Sequence, residues 1–192
     1  MEVMKTVKEK MIAGELYDAY VPELVEERNR AKEQMHIHNS LLPSKLEERE
    51  TIIREVLGST GNKFLIEQPF FCEYGYNIHL GENFFSNFNC VILDEAPVHF
   101  GNDVLLAPNV CIYTVNHALN AERRKAALEY ARPVTIGNNV WIGGNSVILP
   151  GVTIGDNTVI GAGSVVTKSI PANVIAAGNP CKVLRAINEE DI

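Results

Sequence analysis

The sequence predicts a mainly β chain: a parallel β-helix of six-residue repeats, with an N-terminal helical segment and one protruding loop. Three observations carry this expectation. From Ile136 the chain divides in register into IGNNVW, IGGNSV, ILPGVT, IGDNTV, IGAGSV and VTKSIP, each opening on Ile or Val. A weaker upstream set runs LGENFF, SNFNCV, ILDEAP and then, after two extra residues, FGNDVL, LAPNVC and IYTVNH. Before Gly58 the period is different and the chain is strongly charged.

Residues 1–58 read as the helical segment. Pro22 suits a first helical turn, where its missing N–H is not needed. Ser44-Lys45-Leu46-Glu47 fits a capping box, in which a hydroxyl and a carboxylate satisfy free backbone donors. Leu46, Ile53, Val56 and Leu57 then fall on one face, and Gly58 can end the helix.

Residues 59–192 read as the β-helix. A period of six suits neither an amphipathic helix nor an alternating strand, but it suits a short strand and a turn repeated. The first place is aliphatic and the fifth is Val, Ser, Val, Thr, Ser and Ile, so both are assigned inward. Gly and Asn are assigned to the turn conformations that other residues resist. Stacked coils supply the core that one block lacks, and three blocks per coil close a triangular prism. The count fails after His117, where ALNAERRKAALEYARPVT is polar and lacks the aliphatic-glycine pattern. A loop that long in a compact repeat is functional or disordered. Residues 118–133 are read as an excursion that opens the wall beside His117.

Composition bounds the function. A net charge of −7 over 192 residues disfavours general nucleic-acid binding, which rests on many Lys and Arg contacts to phosphate. A small phosphorylated ligand needs only a local cluster, such as Lys168, Lys182 and Arg185. No run approaches the roughly 18 apolar residues of a membrane span, and MEVMKTVKEKMIAG lacks the apolar stretch of a secretory signal. A cytoplasmic protein without a membrane partner is expected. Cys72, Cys90, Cys111 and Cys181 lack CxxC spacing and read as reduced thiols.

EKMIAGELY, YGYNIHLGENFFSNFNC, LAPNVCIYT, PVTIGNNVWIGG, LPGVTIGDN and GAGSVVTKSIPANVIAAGNPCKV together carry a family resemblance. They resemble the hexapeptide-repeat sugar O-acetyltransferases acting on maltose, galactosides and nodulation oligosaccharides. The first segment, CEYGYNIHLG and the tail are most similar to the maltose enzymes. The resemblance covers nearly the whole chain. It implies a left-handed β-helix, against the usual right-handed crossover preference. It also implies a homotrimer, with acetyl-CoA as co-substrate and a sugar acceptor in clefts between neighbouring prisms. The loop is implied to cover part of a neighbour's cleft.

The family's catalytic histidine falls on His117. Acetyl transfer from a thioester to an alcohol needs a base, and imidazole has a suitable pKa to take the hydroxyl proton and return it to the departing thiolate. No serine or cysteine stands in a nucleophile setting beside it, so direct attack is preferred to an acyl-enzyme. Cys111 occupies the sixth place one block earlier and is read as structural.

On the acceptor side, Asn87 in FFSNFN matches the family's asparagine, whose amide both donates and accepts. Asp94 and Glu95 cover the acidic acceptor position. Glu73 falls where galactoside enzymes have serine and maltose enzymes aspartate. Asp18 adjoins Ala19, the position at which the family has an aspartate. On the CoA side, Trp141 could pack along the pantetheine arm, and Gly144 replaces a serine and leaves only its backbone N–H. Ala162 allows close backbone approach, and Thr167-Lys168 match a Thr-Lys pair. Lys182 and Arg185 match two basic tail positions where cations meet phosphates. One of the family's arginines is lysine here, which keeps the charge and loses the fork.

Other readings stay open. His79, His99 and His117 each hold a sixth place or its equivalent and could stack on one outer edge. Three histidines can bind zinc, as in carbonic-anhydrase relatives that share the fold, but a straight ladder gives poor tetrahedral geometry. No metal is expected. The acceptor could instead be a galactoside, an antibiotic or a cell-surface sugar. A non-enzymatic scaffold would keep the repeat and tolerate loss of His117.

Overall fold

The computed structural model describes residues 5–191; the outer ends of the two expected segments, residues 1–4 and 192, lie outside them. The N-terminal segment forms helices α1 (Val7–Ile12), α2 (Pro22–Ser40) and α3 (Leu46–Val56), with a two-residue strand, Tyr17–Asp18, before α2. Pro22 opens α2. The expected capping box at Ser44 is absent: Lys45 is the N-cap of α3 and makes no side-chain cap bond. Ser44 stands one residue too early to serve as the cap. A reciprocal box forms instead at α1, between Thr6 and Glu9. Leu46 is exposed whereas Ile53 and Leu57 are buried, so the apolar face of α3 is shorter than expected. Gly58 follows an extended Leu57 and makes room for a neighbouring coil: a Cβ there would lie 2.2 Å from the Tyr76 carbonyl oxygen.

Beyond these helices the chain winds into a parallel β-helix whose walls are three sheets of four, seven and five strands. Every first- and fifth-place residue from Ile136 to Ile170 is buried, with Ile142 over Ile160 and Ile148 over Val166 in register. Burying one such aliphatic side chain is worth about 1.5–3 kcal/mol relative to exposure. The buried fifth-place hydroxyls donate to backbone carbonyls, as Thr158 Oγ1 does to Pro171 O at 3.0 Å.

Glycine and asparagine divide the turns differently from expectation. The positive φ falls on the fourth place, at Asn139 (54°), Asn145 (57°), Gly151 (82°) and Asn157 (53°). These amides also link the coils: Asn139 Nδ2 donates to Asn157 Oδ1 at 3.0 Å, and Asn157 Nδ2 to Asn173 Oδ1 at 2.9 Å. Second-place glycines serve close approach. A Cβ on Gly155 would sit 2.4 Å from the backbone nitrogen of Ala172.

Outside the long loop three coil lengths occur, the shortest being the last, where partners such as Val159 and Ile175 are sixteen apart. Downstream partners are eighteen positions apart, as in Thr135 with Thr153 and Trp141 with Val159. Upstream partners are twenty apart, as in Phe64 with Phe84 and Ile78 with Val98. The two extra residues do not fall at Val98-His99, as the block count suggests, because Val98 is a fully buried wall residue. They enlarge the turn before it, residues 94–97, and the equivalent turn at 73–77 one coil earlier. In the third coil the same edge opens into the long loop, and Val134 then resumes the wall directly against Val98. The irregularities therefore stack along one enlarged edge.

The three outer faces differ. The four-stranded face is polar and carries His79, His99, Thr135 and Thr153 in register. The seven-stranded face carries an outward apolar ladder that includes Leu65, Leu105 and Trp141, all exposed. The five-stranded face presents Phe71, Val91, Cys111, Val147 and Val165. His79 and His99 do stack, with ring centroids 4.7 Å apart and planes 15° apart. Thr135, not His117, comes next in that ladder, so the three-histidine stack is not formed.

Candidate active site

The loop is built, not irregular. Val115–His117 and Leu128–Ala131 pair as an antiparallel hairpin around a short helix, α4 (Ala121–Lys125). Asn120 caps α4 by accepting from the Arg123 N–H at 3.1 Å, and Ala127 turns the chain at φ 56°. The N-terminal strand Tyr17–Asp18 adds to the hairpin's other side. The resulting three-stranded sheet sets Tyr17 opposite Glu129, and Glu129 opposite His117. Residues directly opposite in a sheet project to the same face, so these three side chains form a row.

In that row Glu129 Oε1 lies 3.6 Å from His117 Nδ1, while Glu129 Oε2 accepts the Tyr17 hydroxyl at 2.8 Å. His117 is 61% exposed and Glu129 only 17%. The 3.6 Å contact is longer than a hydrogen bond but within ion-pair reach. A carboxylate on Nδ1 favours the tautomer that leaves Nε2 as the free acceptor. Burial, then the charge of Glu129 and the hydrogen bond to it, hold the Tyr17 phenol well above its ordinary range. It acts there as a donor only.

The acidic residues of the enlarged edge have distinct environments. Asp94 is fully buried, and its Oδ1 accepts the backbone N–H groups of Glu73 (3.0 Å) and Tyr74 (2.8 Å). Its Oδ2 faces the Asn77 N–H at 3.3 Å. Asp94 thus ties together the enlarged turn of the coil above, with both carboxylate oxygens turned to backbone donors. Glu95 is 6% exposed, and its Oε2 lies 3.3 Å from Thr114 Oγ1. Burial pushes its carboxyl up to about 8, with the charges of Asp94, Glu73 and Glu129 adding. Glu73 pairs with Lys32 (3.1 Å) and Arg28 (3.5 Å) of α2. Asp18 pairs in register with Leu128, so by strand alternation its side chain leaves the sheet on the face opposite His117. It instead accepts the Tyr20 N–H at 2.8 Å.

The other expected residues stand elsewhere. Asn87, Gly144 and Ala162 lie in turns between the seven- and five-stranded faces, a different edge from the one carrying His117. Asn87 Oδ1 accepts the Phe88 N–H at 2.8 Å. Trp141 is 52% exposed on the seven-stranded face. Thr167 and Lys168 lie in a later turn of the enlarged edge, and Lys182 and Arg185 on the final antiparallel strand, Lys182–Ala186. Arg185 grips Asp191 with both terminal nitrogens, one at 2.7 Å. One chain therefore brings His117 together with the unforeseen Glu129 and Tyr17, with Glu95 near enough for the charge of Glu129 to act on it, and holds Asn87, Gly144 and Ala162 on another edge. The available signal for Glu129 was the strand-like LEYA before Pro133, flanking the charged AERRK; its pairing with Tyr17 spans too much chain to read locally. All four cysteines are free, with Cys111 half-buried and the others buried. Among the described residues no group of three or more His, Cys, Asp or Glu side chains is placed to hold a metal, and no helix is long and apolar enough to cross a membrane.

Comparison with known proteins agrees with this architecture. Residues 10–61 match the maltose acetyltransferase hexapeptide capping motif, and residues 133–168 match the bacterial transferase hexapeptide of six repeats. The galactoside O-acetyltransferase of Escherichia coli (strain K12) is 49% identical over 183 residues, which is 95% of this chain and 90% of that protein. A solved maltose O-acetyltransferase from Clostridium difficile 630 has a TM-score of 0.95 and 51% identity, covering 96% of this chain and 99% of that one. A galactoside acetyltransferase in complex with coenzyme A has a TM-score of 0.94 and 48% identity, covering 98% and 94%. With a prism of hexapeptide coils, a helical cap and a histidine at the opened edge, the chain belongs to the hexapeptide-repeat acetyltransferases, in the group of the maltose and galactoside O-acetyltransferases.

Proposed function

We propose that this protein transfers acetyl from acetyl-CoA to a hydroxyl of a sugar such as maltose or glucose, with His117 as general base. The observation that carries the reading is the His117–Glu129 pair, an exposed imidazole backed by a half-enclosed carboxylate at the one edge where the wall opens. His117 Nε2 takes the proton as the sugar oxygen attacks the thioester carbonyl. The tetrahedral intermediate then collapses, the C–S bond breaks, and the imidazolium returns the proton to the departing thiolate. Positioned base catalysis supplies about 10²–10⁴-fold, and alignment of the two substrates must supply much of the rest.

The CoA complex of the galactoside relative supports CoA in this role, and Trp141, Gly144, Ala162, Thr167, Lys168, Lys182 and Arg185 are its proposed contacts. Asn87, Glu95 and Glu73 are the proposed acceptor residues. A homotrimer reconciles their separation. Two of the three outer faces are apolar, as subunit contacts require, and packing prisms by these faces can bring Asn87 of one copy towards His117 of the next. The test combines acetyl-CoA with a panel of maltose, glucose and galactosides, read by thiol release and product mass. His117→Ala should lower turnover by at least about 10²-fold with CoA affinity nearly unchanged; undiminished turnover would sink the assignment.

A further inference from the structure

The Tyr17 hydroxyl has one carboxylate partner, and that partner is the group behind His117. Tyr17 is 2% exposed, and its ring packs in a small core with Met11, Ala19, Leu24 and Tyr74, apart from the prism interior. Its backbone is fixed by pairing with Glu129 itself. A glutamate with 17% of its side chain exposed could otherwise turn outward to solvent. The 2.8 Å bond from Tyr17 restrains Oε2, so Oε1 is presented to His117 Nδ1. Ring, backbone and hydroxyl all act on the same side chain.

We infer that Tyr17 is a positioning residue for the transfer reaction, acting through Glu129 to orient the His117 imidazole. The inference rests on the reading of His117 as general base, and it gives the N-terminal cap a part in the chemistry. Packing alone would explain a phenylalanine at this position as well as a tyrosine. The hydroxyl is the part that packing does not use.

Tyr17→Phe keeps the ring and removes only the donor. It should lower kcat about tenfold, the factor associated with one hydrogen bond to a charged group, with KM for acetyl-CoA unchanged and the melting temperature within a few degrees of wild type. Glu129→Gln should also lower kcat, and adding Tyr17→Phe to Glu129→Gln should cost less than about twofold more, because residues acting through one another are not additive. Incorporating 3-fluorotyrosine at position 17, which retains shape and hydroxyl, should preserve at least half of kcat and covers the case in which the phenylalanine variant folds poorly. A wild-type kcat in Tyr17→Phe, a change confined to KM, or full additivity in the double variant would each overturn the inference. An inactive His117→Ala beside a fully active Tyr17→Phe rejects the positioning role alone; a fully active His117→Ala rejects the underlying reading.

Discussion

Val98 and Val134 are direct partners in the polar face although the whole loop lies between them in sequence. The wall closes beneath the excursion as if it were not there. Loop and prism are thus largely separable: the loop's strand pairing runs within its own hairpin and to Tyr17–Asp18, and at its base the Arg132 N–H donates to the wall carbonyl of Thr114 at 2.8 Å.

Replacing residues 118–131 by a short Gly-Asn turn should therefore lower the melting temperature by only a few degrees while abolishing transfer, because Glu129 goes with the loop. Thermal melts monitored by circular dichroism, run beside a thiol-release assay, check both halves. Global unfolding would show that the excursion holds the wall together.

Much of this architecture is written locally. The aliphatic first place and small fifth place are solved by burial, which a period reports directly. The division of labour in the turns is less visible, because Asn139 and Gly137 look equally suited to a tight bend. Only the approach of the next coil separates a residue that needs positive φ from one that must lack a Cβ. Site residues are harder still. His117 stands out through the failed count, whereas Glu129 and Tyr17 meet across the fold by antiparallel pairing. Asp94 and Glu95, neighbours in sequence, take opposite parts: one faces backbone donors, the other the Thr114 hydroxyl and further carboxylates.

The raised carboxyl of Glu95 has a thermodynamic signature. Its folded pKa is about 8, against roughly 4.3 in an unfolded chain. Between those values the native state holds a proton that the unfolded state has released, so stability falls as pH rises through the window. Glu95→Gln lacks this proton and should melt progressively higher than wild type as pH is raised from 5 to 9. Asp94, pushed up to about 7 by burial, has the same sign in both proteins and largely cancels. A melting-temperature difference that stays constant with pH would contradict this account.

The Arg185–Asp191 pair predicts competition at the CoA end. A phosphate that engages the Arg185 fork must displace Asp191, whose carboxyl the guanidinium holds down at about 2. Asp191→Asn should tighten CoA binding about two- to fivefold at low salt, as expected for an exposed pair, with the gain fading as salt screens it. In an Arg185→Ala background the same change should do nothing. Isothermal titration with CoA distinguishes these outcomes, and an unaltered affinity in Asp191→Asn would place the phosphates elsewhere.

The separation of Asn87 from His117 onto different edges also has a genetic consequence. In the proposed trimer each chain lends one edge to the cleft on its left and the other to the cleft on its right. Two dead alleles, one lacking the amide and one the imidazole, should then restore partial activity when co-expressed, since some mixed assemblies pair an intact half with an intact half. A single allele damaged at both edges should act dominantly, since one such chain spoils two of the three clefts and a second spoils the last.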